Sequence, residues 1–119
     1  MRSLLVVDDE VSVGKLLRAI FETEGWDVEY ARTGEECLAS VEATPPDVIV
    51  LDQMMPGLTG IETARQLRAG GFDKPIVLFS AYVGPDIQAA VRELDLEAVS
   101  KVDTQTVIQI VERLGGALA

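Results

Sequence analysis

Apolar positions along the 119-residue chain fall into five short runs, separated by stretches in which apolar residues recur every three or four positions. The runs are Leu4-Leu5-Val6-Val7, Trp26 to Tyr30, Val48-Ile49-Val50-Leu51 closing on Asp52, Ile76-Val77-Leu78-Phe79, and a weak one over Ala98 to Ser100. Unbroken aliphatic runs rich in β-branched residues predict strands buried on both faces, and the more polar 26–30 run predicts a strand at a sheet edge.

The stretches between them carry helical spacing and helix punctuation. Val13, Leu16, Leu17, Ile20 and Phe21 mark a helix over residues 11–24, and Gly25 supplies the left-handed residue that ends it. Thr33 with Glu36, and Thr59 with Glu62, have the spacing of capping boxes. They open helices that carry Leu38 and Val41 as far as Pro45-Pro46, and Ile61, Ala64 and Leu67 as far as Gly70-Gly71. Gly84-Pro85-Asp86 starts a helix with Ile87, Val91 and Leu94 inward, and Asp103 or Thr104 caps a last one bearing Val107, Ile108, Val111 and Leu114.

Strand followed by helix five times over, with short loops, predicts an α/β fold: a doubly wound, five-stranded parallel sheet with five helices covering both faces. The common five-strand arrangement is the flavodoxin-like order 2-1-3-4-5, in which ligands bind beyond the carboxyl ends of the strands where the strand order reverses. The length suits one domain over residues 1–119, and a separate output domain is not expected within this chain.

Charge and residue usage narrow the chemistry. Twenty acidic against ten basic residues give a net charge of −10, which argues against direct contact with nucleic acid or an anionic membrane. The absence of His removes imidazole-based zinc sites and His-dependent triads, and the one cysteine, Cys37, is expected to be a free core thiol. The first apolar run is too short for a signal-peptide core or a membrane span, so a cytoplasmic location is expected.

The residues at the expected strand ends are Asp8 and Asp9, then Asp52, Ser80 and Lys101. With the first and third strands side by side about 4.8 Å apart, three carboxylates must crowd together. Two unit charges about 4 Å apart repel by roughly 4 kcal/mol at an effective dielectric near 20, which demands a cation, a raised pKa or both. Magnesium suits such a set, because carboxylates plus phosphate oxygens are its usual setting. A carboxylate beside Mg²⁺ can attack phosphorus, and Lys101 could then hold a phosphoryl oxygen while the Ser80 hydroxyl donates to another.

Asp8-Asp9 after an aliphatic strand, the Asp52-Gln-Met-Met-Pro-Gly-Leu-Thr-Gly60 segment, Ser80-Ala81 and Lys101 together resemble the receiver domain of bacterial two-component response regulators, of the chemotaxis-regulator kind. The resemblance implies a phosphoprotein of a phosphorelay that takes a phosphoryl group from a phosphohistidine on a sensor histidine kinase or phosphotransfer protein onto Asp52. By the same carry-over, Asp9, Asp52 and the backbone carbonyl of Met54 ligate Mg²⁺, and Asp8 acts mainly through metal-bound water. It further implies self-catalysed hydrolysis, with no catalysis on other substrates, and a downstream protein target or fused output domain. The output surface would lie on the fourth helix, fifth strand and fifth helix.

The chain departs from that family at three places. Ala98 stands where an aromatic residue commonly sits three positions before the lysine, Lys101 is followed by Val102 rather than proline, and Leu94-Asp95-Leu96-Glu97 replaces a small-Gly-small turn. Chemistry at Asp52 is expected to survive, with Tyr82 taking over part of the missing aromatic's reporting role.

Other readings fit less well. Gly14-Lys15 hints at a phosphate loop, but position 9 lacks its first glycine and Leu16 replaces its Ser or Thr. An Asp-nucleophile phosphatase would want a second Asp where Glu10 stands, and a flavin carrier would want backbone and hydroxyl donors where the first loop is acidic. The alternative that remains is a receiver-like interaction module that signals without phosphorylation.

Overall fold

The computed structural model describes residues 2–116, so the ends of the expected 1–119 domain, residue 1 and residues 117–119, lie outside the described residues. The elements run β1 (Ser3–Val7), α1 (Val11–Thr23), β2 (Asp27–Ala31), α2 (Gly34–Ala43), β3 (Val48–Leu51), α3 (Gly60–Ala69), β4 (Ile76–Ser80), α4 (Pro85–Leu94), β5 (Glu97–Ser100) and α5 (Thr104–Gly116). All neighbouring strands are parallel, in the order β2-β1-β3-β4-β5. That is the predicted flavodoxin-like topology, with the polar second strand at one edge.

Alternation along the inner strands builds two cores. Leu5, Val7, Ile49, Leu51, Ile76 and Leu78 face α2, α3 and α4, where they meet Cys37, Val41, Ala64, Leu67 and Ile87. Leu4, Val6, Val48, Val50, Val77 and Phe79 face α1 and α5, where they meet Leu17, Phe21, Val107 and Val111. Every residue of β3 is buried, which is why its sequence is continuously apolar rather than alternating. Each such Val, Leu or Ile contributes about 1.5–3 kcal/mol by leaving water, so the central strand ends are held firmly by what lies below them. Cys37 is a free, fully buried thiol, as expected, and burial pushes it up to about 12. Met55 is buried too.

Two helix starts separate in detail. Thr59 and Glu62 form the complete capping box, each side chain bonding the other's backbone N–H. Thr33 accepts from Glu36 N–H at 3.0 Å, but the Glu36 carboxylate reaches the Arg32 N–H instead of closing the box. The last helix is capped by Asp103, whose carboxylate accepts from the Thr106 N–H at 3.1 Å. The unusual Leu94–Glu97 connection works without glycine because Asp95 adopts the left-handed conformation (φ 55°) itself. Arg68 holds that turn in place, donating to the carbonyls of Leu94 at 2.9 Å and Asp95 at 3.0 Å.

Among the described residues no helix is long and apolar enough to cross a membrane.

Candidate functional site

Strand register brings the acids together. Val7 and Leu51, the last residues of β1 and β3, lie opposite one another, so Asp8 and Asp52 emerge side by side. Their backbones continue the ladder, with Asp52 N–H donating to Val7 C=O at 2.9 Å and Asp8 N–H donating to Ala31 C=O at 3.1 Å. The Asp8 carboxylate turns back to accept from Glu10 N–H at 2.9 Å, which tightens the turn into α1. Asp8 and Asp52 are only 2% and 3% exposed. Beyond Asp52 the chain folds closely over itself. Gly60 N–H donates to Gln53 C=O at 2.9 Å, and a Cβ on Gly60 would sit 2.3 Å from the Asp52 carbonyl oxygen. Only glycine permits that approach.

One oxygen from each of Asp8, Asp9 and Asp52 lies within 4.8 Å of the others. The Lys101 Nζ reaches into the group, 2.9 Å from Asp8 Oδ2, 3.3 Å from Asp52 Oδ1 and 3.3 Å from Glu10 Oε1. One ammonium does not balance this many acids, and the imbalance is felt at Asp52. Burial, and next the Asp8 charge, push its carboxyl up to about 6, against the opposing pull of Lys101 and the Met54 backbone N–H. For Lys101, burial works to lower the pKa, but the hydrogen bond to Asp8 and the Asp52 and Asp8 charges outweigh it and raise the value above that of a free lysine.

The donor set fits a hard divalent cation. Magnesium–oxygen distances of about 2.0–2.1 Å place two octahedral ligands about 3–4 Å apart, so oxygens already within 4.8 Å of each other need only small side-chain rotations. All three donors are carboxylate oxygens, and their excess negative charge is what such an ion would offset.

The sequence-predicted residues Asp8, Asp9, Asp52 and Lys101 thus converge. Ser80 ends β4, next to β3 in the sheet, and is fully buried; its carbonyl accepts from Lys101 N–H at 2.8 Å. Its Oγ accepts from Tyr82 N–H at 3.3 Å, so the hydroxyl contacts the β4–α4 loop rather than the acids. Met54 turns its side chain outward, 67% exposed, leaving its backbone beside Asp52. Tyr82 is 54% exposed, with its hydroxyl donating to Asp86 at 3.3 Å. Sequence reasoning missed Glu10 as a third partner of Lys101; its place directly after the acidic pair was the available signal.

Comparison with known proteins agrees with this geometry. The family model described as the response regulator receiver domain matches residues 4–112. Response regulator MprA of Mycolicibacterium vanbaalenii is 45% identical over 78 residues, covering 66% of this chain and 34% of MprA. The alkaline phosphatase synthesis transcriptional regulatory protein PhoP of Bacillus subtilis is 46% identical over 80 residues, covering 67% of this chain and 33% of PhoP. These matches span about a third of the length of the curated relatives. Among solved structures, the Francisella response regulator 1452 receiver domain superimposes with a TM-score of 0.91 at 26% identity over the whole of both chains. The Thermotoga maritima response regulator TrrA, solved in complex with Mg²⁺-BeF, gives a TM-score of 0.85 at 31% identity, covering 96% of this chain and 99% of that one. With its five-stranded topology and its acids gathered at the strand ends, this chain belongs to the response regulator receiver domain family.

Proposed function

We propose that this domain is the phosphorylatable switch of a two-component pathway, accepting a phosphoryl group on Asp52 from a phosphohistidine of a sensor histidine kinase or phosphotransfer protein. The observation that carries this reading is a buried Asp52 set among Asp8 and Asp9 with the Lys101 ammonium 3.3 Å away. An Asp52 oxygen attacks phosphorus as the P–N bond breaks, and the donor imidazole leaves with the bonding electron pair. Lys101, already balanced between Asp8 and Asp52, shifts to a phosphoryl oxygen, and the Ser80 hydroxyl turns from the Tyr82 amide to donate to another. Hydrolysis reverses the state: water adds to phosphorus, the P–O bond to Asp52 breaks, and the carboxylate is restored.

Asp9, Asp52 and the Met54 carbonyl would hold Mg²⁺, with Asp8 acting through water. The bound ion supplies the positive charge that keeps Asp52 ionised and offsets charge on the transferring group. Around the acidic pocket the exposed apolar residues Val11, Met54, Tyr82 and Val102 lie on the loops and helix start that follow the strands, which suits docking of a protein donor. The remaining parts of the reading are a cytoplasmic location, no direct contact of this domain with nucleic acid or membrane, and signalling to a protein target or fused output domain. Intact-mass measurement after incubation with acetyl phosphate and Mg²⁺ tests it. One alkali-labile phosphate should be gained by the native chain and by no Asp52→Asn chain; no gain would favour a module that works without phosphate.

A further inference from the structure

Gly14 has a definite use in the fold. A Cβ at this α1 position would lie 2.4 Å from Cε1 and 2.5 Å from Cζ of Tyr30, so the Tyr30 ring sits against bare helix backbone. From that seat the Tyr30 hydroxyl donates to the Asp8 carbonyl oxygen at 2.7 Å, the ideal length for such a bond. The Asp8 N–H is meanwhile bonded to Ala31, the residue after Tyr30. Both backbone polar groups of Asp8 are therefore held by the edge strand β2.

This matters most for Asp9. The Asp8 side chain has its own restraints, Glu10 N–H at 2.9 Å and Lys101 at 2.9 Å. Among the described residues no hydrogen bond fixes the Asp9 carboxylate, so its position follows from the peptide unit joining residues 8 and 9, and Tyr30 grips the oxygen of that unit. We propose that Tyr30, seated by Gly14, is a positioning residue that pre-sets the Asp8-Asp9 turn for divalent-cation binding. This rests on the proposed phosphoryl-accepting site and names a residue that tunes its metal affinity. Groups that orient a metal's ligands typically change affinity by about 10–100-fold when lost, and one acting through the backbone belongs at the low end.

The test compares Tyr30→Phe, which deletes only the hydroxyl, with the native chain. Titration with MgCl₂, followed through the backbone amide NMR shifts of Asp9 and Glu10, should give a Kd weakened by roughly 10-fold. The Mg²⁺ concentration for half-maximal phosphate uptake from acetyl phosphate should rise by the same factor, while the rate at saturating Mg²⁺ stays within about twofold. A hydroxyl that served the fold alone would lower the urea midpoint and leave the Kd of the folded protein unmoved. Gly14→Ala should weaken Mg²⁺ binding in the native background and add nothing in the Tyr30→Phe background. A Tyr30→Phe Kd within about twofold of native, or a lower saturated rate with an unchanged Kd, would overturn the proposal. Failure of the native chain itself to bind Mg²⁺ would overturn the underlying site reading along with it, so the two failures are told apart.

Discussion

Replacing Asp52 with asparagine should stabilise the metal-free protein. Asp52 is buried, and burial with the neighbouring Asp8 charge lifts its carboxyl from 3.8 to about 6, even after Lys101 and the Met54 N–H have pulled it down. A group whose folded pKa lies above its unfolded one makes the native state bind the extra proton, so native stability falls as pH rises through that interval. Below about pH 4 both states are protonated and Asp52 costs nothing; above about pH 6 the folded protein carries the full cost of an ionised buried acid. A shift of about two units at roughly 1.4 kcal/mol each gives on the order of 3 kcal/mol near pH 7.5, or roughly 12 °C in Tm for a domain of this size.

Asparagine keeps the shape and removes the charge, so Asp52→Asn should recover most of that free energy. The assay is urea unfolding of both chains in EDTA at pH 7.5 and again near pH 4. The variant should be the more stable at the higher pH, and its advantage should shrink towards zero at the lower. An Asp52→Asn chain no more stable than native at pH 7.5, or an advantage that does not change with pH, would show that the buried Asp52 charge carries no such cost. Added Mg²⁺ should narrow the gap from the other side, because an ion at a hundredfold excess over its Kd stabilises the native chain by about 2.7 kcal/mol.

Three further outcomes follow from the same geometry. Lys101→Met removes the ammonium from Asp8, Glu10 and Asp52 and should cost the metal-free protein about 2–3 kcal/mol, with Mg²⁺ raising its Tm more than it raises that of the native chain. Gly60→Ala forces a Cβ onto the Asp52 carbonyl and should cost about 2 kcal/mol or more in urea unfolding, with phosphate uptake reduced because the same backbone carries Asp52. Tyr82→Ala should diminish the amide NMR shift changes of Asp86 and Ile87 on phosphorylation, since Tyr82 links the Ser80 hydroxyl to Asp86 at the start of α4; unchanged shifts would sink the idea that Tyr82 reports for the absent aromatic.

Strand ends were legible because burial on both faces forces continuous apolar runs, and a charge that interrupts such a run stands out; Asp52 and the Asp8-Asp9 pair were visible for that reason. Lys101 became visible only once the fold class placed its strand end beside the others, since a lone lysine after a weak strand carries no local signal. What lies across elements was not legible. The Tyr30 hydroxyl reaching Asp8, and Arg68 closing the turn after α4, span 22 and 26 residues, and no spacing rule encodes such contacts. Glu36 illustrates the same limit at short range: the capping-box spacing is present, yet the carboxylate rotates to Arg32. Ala98 pairs with Leu78 in the β4–β5 ladder, so the weak strand expected over residues 98–100 does form.

In the proposed reaction Asp52 itself, and neither Asp8 nor Asp9, receives the phosphoryl group. Treating the chain with acetyl phosphate and Mg²⁺, reducing any acyl phosphate with borohydride, and sequencing the peptides by mass spectrometry reads this directly. Homoserine is expected at position 52, with aspartate unchanged at positions 8 and 9. Homoserine at either of those positions, or unmodified Asp52 in a chain that has gained phosphate, would contradict it.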